Sequence, residues 1–290
     1  MSTLRVGLIG FPIKHSLSPV FQQAAFDALG VDAQYELWET PPEQIADAVA
    51  RLRNPDCLGA NVTMPHKQGL MKIVDRVDDV AAAVGAINTI VRQTDGSLVG
   101  FNTDVDGFDQ AIRVDGETDL ERKRVVLLGS GGAARAVVVA SLDRRVAELV
   151  ICARRPSQAR ALLDDVMQHR RVDGRSVVRI LPWEDDRAKQ SAISTCDVVV
   201  NATPVGMSGH HAPDGLLIQP AWLSARTLVC DLVYSPPLTP FLAAAQERGA
   251  RILNGLPMVV YQGATAFERW TGRAAPVELM RQKALEALHG

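Results

Sequence analysis

A glycine-rich stretch in the middle of the chain has the composition of a phosphate-binding loop. Directly after the apolar residues 125–128 come Gly129, Ser130, Gly131, Gly132, Ala133 and Ala134, and a helical pattern follows to Leu142. Glycines let a backbone turn tightly and approach a pyrophosphate, and the start of the following helix offers free N–H groups to the anion. A glycine-rich pattern alone is weak, but its position between a strand and a helix favours a dinucleotide site over a structural turn.

The end of the next predicted strand bears on which dinucleotide binds. After residues 149–152 come Ala153, Arg154 and Arg155, and the first acidic residue downstream is Asp164. An acid at this point would hold the ribose 2′-hydroxyl of NAD, whereas arginine pairs with the 2′-phosphate of NADP. The two arginines therefore favour NADP. The alternative is that they are ordinary solvated surface residues.

Polar residues in the N-terminal third of the chain cluster at the ends of predicted strands. The clusters are Ser16 with Ser18, residues 61–67, Asn88 with Thr89, and residues 102–104. Two hydroxyls at a helix start could receive a carboxylate, although a serine helix cap before proline gives the same pattern. Each Asn or Asp alone is typical of a turn, but open α/β sheets bind ligands beyond strand carboxyl ends, so together they indicate a site.

Predicted strands and helices alternate along the part of the chain that carries these clusters. Strands are predicted at 6–9, 35–38 and 58–62, and helices at 19–29 and 42–52. This β-α-β-α-β order predicts a parallel sheet with helices on both faces. Asp95-Gly96 between the segments 88–92 and 98–101 predicts a hairpin.

A polar stretch, residues 115–124, separates these elements from a second α/β segment and is interpreted as the approach to a second domain. The later predicted strands are 125–128, 149–152, 198–201, 228–232 and 251–253. Helices are predicted over 258–270 and 276–288 at the C-terminal end of the chain.

The composition is that of an ordinary globular protein. The 290 residues are 47% hydrophobic and 22% charged, which fits one large or two ordinary domains and excludes disordered, collagen-like and disulfide-rich classes. Lys plus Arg number 31 and Asp plus Glu 33, giving a net charge of −2. This near-neutral balance, with 5% aromatic residues, argues against nucleic-acid or membrane-surface binding.

The cysteines and the apolar runs bear on the compartment. Cys57, Cys152, Cys196 and Cys230 form no C-x-x-C motif, and we expect them to be small buried hydrophobic residues under reducing conditions. No apolar run approaches the ~18 residues of a membrane span, and residues 1–5 lack the features of a signal peptide. We therefore expect a cytoplasmic protein.

Several motifs occur in an order and spacing that resemble the shikimate dehydrogenase family over nearly the whole chain. In chain order the matching segments are 16–19 (S-x-S-P), 61–67 (N-V-T-x-P-x-K), 85–89 (G-A-x-N-T), 102–107 (N-T-D-x-x-G), 129–135 (G-x-G-G-A-A-R), 201–207 (N-A-T-P-x-G-M), 231–236 (D-x-x-Y-x-P), Gln262 and 267–272 (F-E-R-W-T-G).

The resemblance implies a reversible NADP-linked reduction of 3-dehydroshikimate to shikimate in aromatic amino acid biosynthesis. It implies an α/β fold in which a split catalytic, substrate-binding domain, residues 1–106 with 256–290, surrounds an inserted Rossmann-type NADP-binding domain, residues 107–255. The implied site residues are catalytic Lys67 and Asp104; substrate-binding Ser16, Ser18, Thr63, Asn88, Tyr234 and Gln262; and cofactor-binding Gly129, Ser130, Gly131, Gly132, Ala133, Arg154, Arg155, Thr203 and Gly255.

The residues are consistent with this chemistry. Reduction of a ketone by hydride develops alkoxide charge, so a proton donor must stand within hydrogen-bond reach. Lys67 is a candidate donor, and Asp104 would orient its ammonium. The sequence contains no metal-ligand cluster, which favours hydride chemistry without a metal, and the expected partner is a small molecule, with a homodimer left open.

Two departures from the family pattern keep alternatives open. The usual N-R-T after the second nucleotide-domain strand is Ala153-Arg154-Arg155, which leaves NAD as an alternative coenzyme. The usual H-N pair in the first helix is Gln22-Gln23, which could change a pocket edge or a helix contact. The alternatives are an NAD-linked quinate/shikimate dehydrogenase, an aminoshikimate-type paralogue, a Rossmann enzyme acting on folate or amino acids, and a non-catalytic ligand sensor. Lys67 and Asp104 argue against the sensor.

Overall fold

The computed structural model describes residues 3–170, 176–207 and 216–289. The chain forms two compact units, one of Met1–Gly107 with Val260–Gly290 and one of Phe108–Val259. The first unit is thus discontinuous in sequence. The divisions predicted from the sequence fall after residues 106 and 255, and the polar stretch 115–124 lies inside the second unit.

The first unit contains a six-stranded sheet in the order β2-β1-β3-β5-β6-β4. Its strands are β1 (Leu4–Gly10), β2 (Ala33–Glu39), β3 (Cys57–Val62), β4 (Arg76–Val77), β5 (Thr89–Arg92) and β6 (Leu98–Phe101). β1 is parallel to β2 and β3, as predicted, but β5 is antiparallel to both β3 and β6. The parallel pairing predicted for the first three strands is therefore confirmed, and so is the hairpin predicted at Asp95-Gly96, whose short connection can join only antiparallel strands.

The helices of the first unit come from both ends of the chain. They are α1 (Ser18–Ala28), α2 (Ile45–Leu52), α3 (Asp79–Val84), the beginning of α4 (Asp104–Gln110), most of α9 (Leu256–Thr271) and α10 (Val277–His289). Phe26 and Phe267 are fully buried with ring centroids 5.1 Å apart. The hydrophobic core of this unit therefore depends on residues more than 200 positions apart.

The second unit has a fully parallel six-stranded sheet in the order β12-β11-β10-β7-β8-β9. Its strands are β7 (Arg124–Leu128), β8 (Glu148–Ala153), β9 (Val177–Pro182), β10 (Val198–Asn201), β11 (Leu228–Asp231) and β12 (Arg251–Leu253). Its helices are α5 (Gly132–Asp143), α6 (Pro156–His169), α7 (Asp186–Thr195) and α8 (Pro240–Glu247), and a π-helical segment, Ala111–Asp115, follows α4. The predicted α/β class with a Rossmann-type domain is confirmed.

Burial follows the predicted pattern in the central strands. β7, β8, β10 and β11 are almost wholly buried, as expected for parallel strands covered on both faces. All four cysteines are buried and unpaired, which confirms their predicted role as hydrophobic residues. None of the helices in the described ranges has the length and apolar character needed to cross a membrane.

Candidate active site

The polar clusters of the first unit meet at one edge of its sheet. Ser16 and Ser18 follow β1, Lys67 lies beyond β3, Asn88 precedes β5 and Asp104 follows β6. β1, β3 and β6 run in the same direction and β5 opposes them, so these four points lie on the same edge. Ligands of open α/β sheets bind at this carboxyl edge.

Lys67 and Asp104 form an ion pair at this edge. The Lys67 Nζ lies 2.6 Å from the Asp104 Oδ2, with side-chain exposures of 30% and 15%. The backbone around the lysine is also held, because its carbonyl accepts from the Ile87 N–H at 2.9 Å and the neighbouring His66 Nε2 donates to the Thr40 carbonyl at 2.6 Å. A partly exposed ammonium fixed in this way can donate a proton to a developing alkoxide.

Asn88 connects this pair to two further side chains. Its Nδ2 donates to the Asp104 Oδ1 at 2.8 Å and to the Gln262 Oε1 at 3.3 Å, and its Oδ1 accepts from the Thr103 N–H at 2.7 Å. Asp104 therefore uses one oxygen for Lys67 and the other for Asn88. The structure brings together four predicted site residues whose positions in the chain range from 67 to 262.

The two serines differ in their surroundings. The Ser16 Oγ accepts the Ser18 N–H at 3.2 Å, which is a local helix-start contact. The N-cap residue of α1 is Leu17, without a side-chain cap, and Ser18 is the first residue of the helix. Both serines are half-buried, so the helix-cap explanation accounts for part of the Ser16 geometry and not for Ser18.

Thr63 lies where β1 and β3 end side by side. Its N–H donates to the Ile9 carbonyl at 2.8 Å, and a Cβ on Gly10 would lie 2.3 Å from the Thr63 Cγ2. Glycine at position 10 is therefore needed for this close approach. Thr63 remains half-buried on the same edge as Lys67.

The Gln22-Gln23 pair makes helix contacts. The fully buried Gln22 donates from Nε2 to the Gly263 carbonyl at 2.8 Å, which ties α1 to α9. Gln23 accepts the Tyr35 N–H at 2.9 Å and donates to the Ala33 carbonyl at 3.1 Å, which ties α1 to β2. Of the two consequences considered for this departure, the structure shows the helix contact.

The glycine loop of the second unit has the backbone of an anion site. Gly129 has a φ of +106°, and a Cβ there would lie 2.8 Å from the Thr203 Cγ2. Gly131 is the N-cap of α5 and makes no side-chain cap, so it leaves the helix-start N–H groups without that partner. Nothing lies within 4 Å of a Cβ built on Gly131 or Gly132, so this open space at a helix start suits a pyrophosphate.

The other predicted coenzyme residues lie at the same edge of that sheet. β8 and β10 flank β7, and the Gly129 N–H donates to the Cys152 carbonyl at 2.8 Å. Arg154 and Arg155 follow directly as exposed residues at the start of α6, and their side chains have no hydrogen bond or ion pair with any residue that the structure describes. Thr203 follows β10 and bonds to Asn201 through its backbone N–H and its hydroxyl. The glycine loop, two unpaired cations and Thr203 together fit NADP.

The last two predicted site residues are Gly255, predicted to bind the coenzyme, and Tyr234, predicted to bind the substrate. A Cβ on Gly255 would lie 2.1 Å from the Leu232 carbonyl oxygen, so glycine is required there for backbone packing. Tyr234 follows β11, in the unit that does not contain the other predicted substrate residues. Burial raises the pKa of the Tyr234 hydroxyl, which keeps it protonated and able to donate.

Sequence reasoning missed a buried polar layer beneath the site. Tyr35 on β2, Asn61 on β3 and Thr89 on β5 are buried and hydrogen bonded to one another or to Asn88. In the sequence, Asn61 and Thr89 stand within motifs and Tyr35 stands within a predicted strand. Polar residues inside otherwise apolar strands were the available signal.

Known proteins resemble the chain over almost its whole length. The model described as "Shikimate dehydrogenase substrate binding domain" matches residues 8–90, and "Shikimate 5'-dehydrogenase C-terminal domain" matches residues 255–285. A protein named shikimate dehydrogenase (NADP(+)) from Methanopyrus kandleri is 40% identical over 98% of this chain and 95% of its own length. The chain belongs to the shikimate dehydrogenase family. A member from Moorella thermoacetica with the same name is 41% identical over 99% of this chain and 94% of its own.

Two solved structures of the shikimate dehydrogenase family have the same fold. The enzyme from Listeria monocytogenes, in complex with shikimate and NAD, has a TM-score of 0.88 at 33% identity and covers 97% of this chain and 96% of its own. The enzyme from Thermus thermophilus, in complex with NADP(H) and shikimate, has a TM-score of 0.83 at 33% identity and covers 98% and 100%. The resemblance inferred from the motifs is confirmed.

Proposed function

We propose that the protein is an NADP-linked shikimate dehydrogenase that reversibly reduces 3-dehydroshikimate to shikimate. The observation that carries the proposal is the Lys67–Asp104 ion pair, joined through Asn88 to Gln262 at the carboxyl edge of the first sheet. The chain's relatives named shikimate dehydrogenase (NADP(+)) support the same activity.

The proposed chemistry assigns a distinct role to each group. When bound, the coenzyme would supply a hydride in its reduced form, NADPH, for the reduction and would accept one in its oxidised form, NADP⁺, in the reverse direction. Lys67 donates a proton to the ketone oxygen as the alcohol forms, and it takes the proton back during oxidation. Asp104 holds the lysine ammonium in place through the 2.6 Å contact. One hydride and one proton added to the carbonyl account for the alcohol product.

The remaining predicted residues would bind substrate or coenzyme. We assign Ser16 and Ser18 to the substrate carboxylate, and Thr63, Asn88, Gln262 and Tyr234 to its other polar groups. The glycine loop would hold the pyrophosphate, with Arg154 and Arg155 at the 2′-phosphate and Thr203 and Gly255 along the dinucleotide. In this proposal the first unit, with boundaries near residues 106 and 255, is the substrate domain and the second is the coenzyme domain.

A buried carboxylate near the predicted coenzyme residues has structural partners. The fully buried Asp231, whose pKa is raised chiefly by burial, receives hydrogen bonds from Asn201 and Thr239. These contacts support a structural role for Asp231 beside the coenzyme residues.

A coenzyme-by-substrate matrix tests the proposal. Initial rates are measured with NADP or NAD against shikimate or quinate, by following the reduced coenzyme at 340 nm in the oxidation direction. We expect the highest kcat/KM for NADP with shikimate. A higher value for NAD with quinate would replace the proposal with the quinate alternative, and binding of shikimate without turnover in any pair would favour the ligand-sensor alternative.

A further inference from the structure

We propose that Asn61 and Thr89 are positioning residues that hold the Asn88 amide against Asp104 and thereby keep the Lys67–Asp104 pair aligned. This inference rests on the proposed function, because it concerns how the same site keeps its geometry. Asn61 is 5% exposed and Thr89 is fully buried. Neither was assigned to substrate, coenzyme or proton transfer.

The orientation of the Asn61 amide follows from its neighbours. The Asn61 Nδ2 lies 3.3 Å from the Asn88 carbonyl oxygen, which can only accept a hydrogen bond. The Asn61 Oδ1 faces the Tyr35 hydroxyl at 2.7 Å and accepts its proton. The amide nitrogen must therefore face Asn88 and Thr89.

The proton of Thr89 is directed in the same way. The Asn61 Nδ2 also lies 3.2 Å from the Thr89 Oγ1, so the threonine oxygen accepts at that contact. Its own proton is then available to the Asn88 Oδ1, 3.1 Å away. The Thr103 Oγ1 is a second possible acceptor for this proton at 3.3 Å, and the Thr103 hydroxyl itself lies 3.2 Å from the Asn88 Oδ1. Directly or through Thr103, the series of hydrogen bonds that starts at the Tyr35 phenol therefore reaches the Asn88 amide oxygen.

This series of hydrogen bonds ends on the Asp104 carboxylate. The Asn88 Oδ1 accepts from the Thr103 N–H at 2.7 Å and from Thr89, so two donors on different elements fix the amide plane. The Asn88 Nδ2 then points at the Asp104 Oδ1 at 2.8 Å. This contact leaves the Asp104 Oδ2 for the Lys67 Nζ. A tilt of the amide would move the carboxylate and with it the lysine, and small displacements of reacting groups are costly in rate.

The test uses two pairs of variants at position 89 that differ only in the hydroxyl. Wild type and Thr89→Val have the same side-chain shape, with and without the hydroxyl. Thr89→Ser and Thr89→Ala both lack the methyl group and again differ in the hydroxyl. We measure kcat, the KM for shikimate and the KM for NADP, together with the melting temperature of each protein.

A positioning role predicts about a threefold to tenfold fall in kcat within each pair, as expected for the loss of one neutral hydrogen bond. The KM for NADP should stay unchanged, and Thr89→Ser should keep kcat close to wild type. Thr227→Val is the matched control, because Thr227 is also fully buried and, among the residues that the structure describes, its hydroxyl reaches only the Cys196 carbonyl at 3.4 Å, in the second unit. This control should keep the wild-type kcat.

Specific results would overturn the inference. An equal kcat in Thr89→Ala and Thr89→Ser would show that side-chain volume matters and the hydroxyl does not, and this pair remains informative if Thr89→Val does not fold. A fall in melting temperature with unchanged kcat would assign Thr89 to stability alone. Absence of turnover in the wild-type protein would overturn the proposed function itself, a result distinguishable from either of these.

Discussion

The two carboxylate oxygens of Asp104 have different partners: Oδ2 is 2.6 Å from the Lys67 Nζ, and Oδ1 is 2.8 Å from the Asn88 Nδ2. Asp104 thus holds the Lys67 ammonium through Oδ2, while Asn88 holds Asp104 through Oδ1. Removal of either member of the ion pair should therefore impair proton transfer more than substrate binding.

Lys67→Ala should lower kcat by roughly 10²–10⁴-fold, because general acid–base catalysis is typically worth that much. The KM for shikimate should stay within about tenfold of wild type, since the proposal assigns Lys67 to the reacting oxygen and the two serines to the substrate carboxylate. Steady-state kinetics measures both constants. The control is Lys72→Ala, an exposed lysine five residues later, and a near-normal kcat in Lys67→Ala would remove the lysine from its role.

Asp104→Asn should also lower kcat, and its combination with Lys67→Ala should be non-additive. When two residues act together, substitution of either one already removes most of what the pair contributes to kcat. The rate loss of the double variant should therefore be smaller than the product of the two single losses. Multiplicative losses would show that the two residues act independently.

Substitution of Ser16 and Ser18 together by alanine should raise the KM for shikimate about tenfold or more and leave kcat nearly unchanged. A hydrogen bond to a charged group contributes roughly 1.5–3 kcal/mol, and the substrate carboxylate has the same charge in ground and transition states. Ser97→Ala is a suitable control, because its hydroxyl bonds to Asp95 in the hairpin turn. Equal KM values in variant and parent would limit the two serines to local structure.

Loss of Arg154 should weaken the preference for NADP over NAD. A charge-assisted contact to the 2′-phosphate corresponds to about a tenfold to hundredfold preference. Arg155 is also exposed and unpaired among the described residues, so the double alanine variant gives the clearest change in the KM for NADP. Arg160→Ala, an exposed arginine on α6, is the control, and an unchanged NADP to NAD ratio in the double variant would place coenzyme selection elsewhere.

The cysteines should resist alkylation in the native protein. Burial raises the pKa of the Cys57 thiol to about 11 and of the Cys152 and Cys196 thiols to about 12, and it also raises that of Cys230. At pH 8 only about one Cys57 thiol in a thousand would be ionised, and the thiolate is the reactive form. Iodoacetamide followed by mass spectrometry should label all four in urea and almost none without it; rapid native labelling would contradict this burial.

The fold could be predicted from sequence where signals were local and strong. The glycine loop followed a continuous apolar strand, and Asp95-Gly96 marked the hairpin, so both units were recognised. β9 was missed because its burial alternates irregularly along an edge strand, and β4 because it has only two residues. α3 was also missed, although Asp78 caps it and Gly85 ends it with a φ of +70°.

The site was predictable only in part, for a physical reason. Lys67, Asp104 and the serines stood in motifs next to predicted strand ends, where ligands are expected. Tyr35 and Asn61 act inside strands and are 26 residues apart, so their contact depends on strand register, which periodicity does not determine. The direction of the hydrogen bonds around Asn88 likewise became visible only with coordinates.

The split of the first unit has a consequence for protein synthesis. Gln22 bonds to the Gly263 carbonyl and Phe26 packs on Phe267, so α1 is synthesised more than 200 residues before the part of α9 that it packs against. The second unit, complete at residue 259, can finish its core beforehand. During that interval Phe21 and Phe26 lack the α9 residues that bury them. A chain truncated before residue 260 would therefore expose these two side chains and would be prone to aggregate.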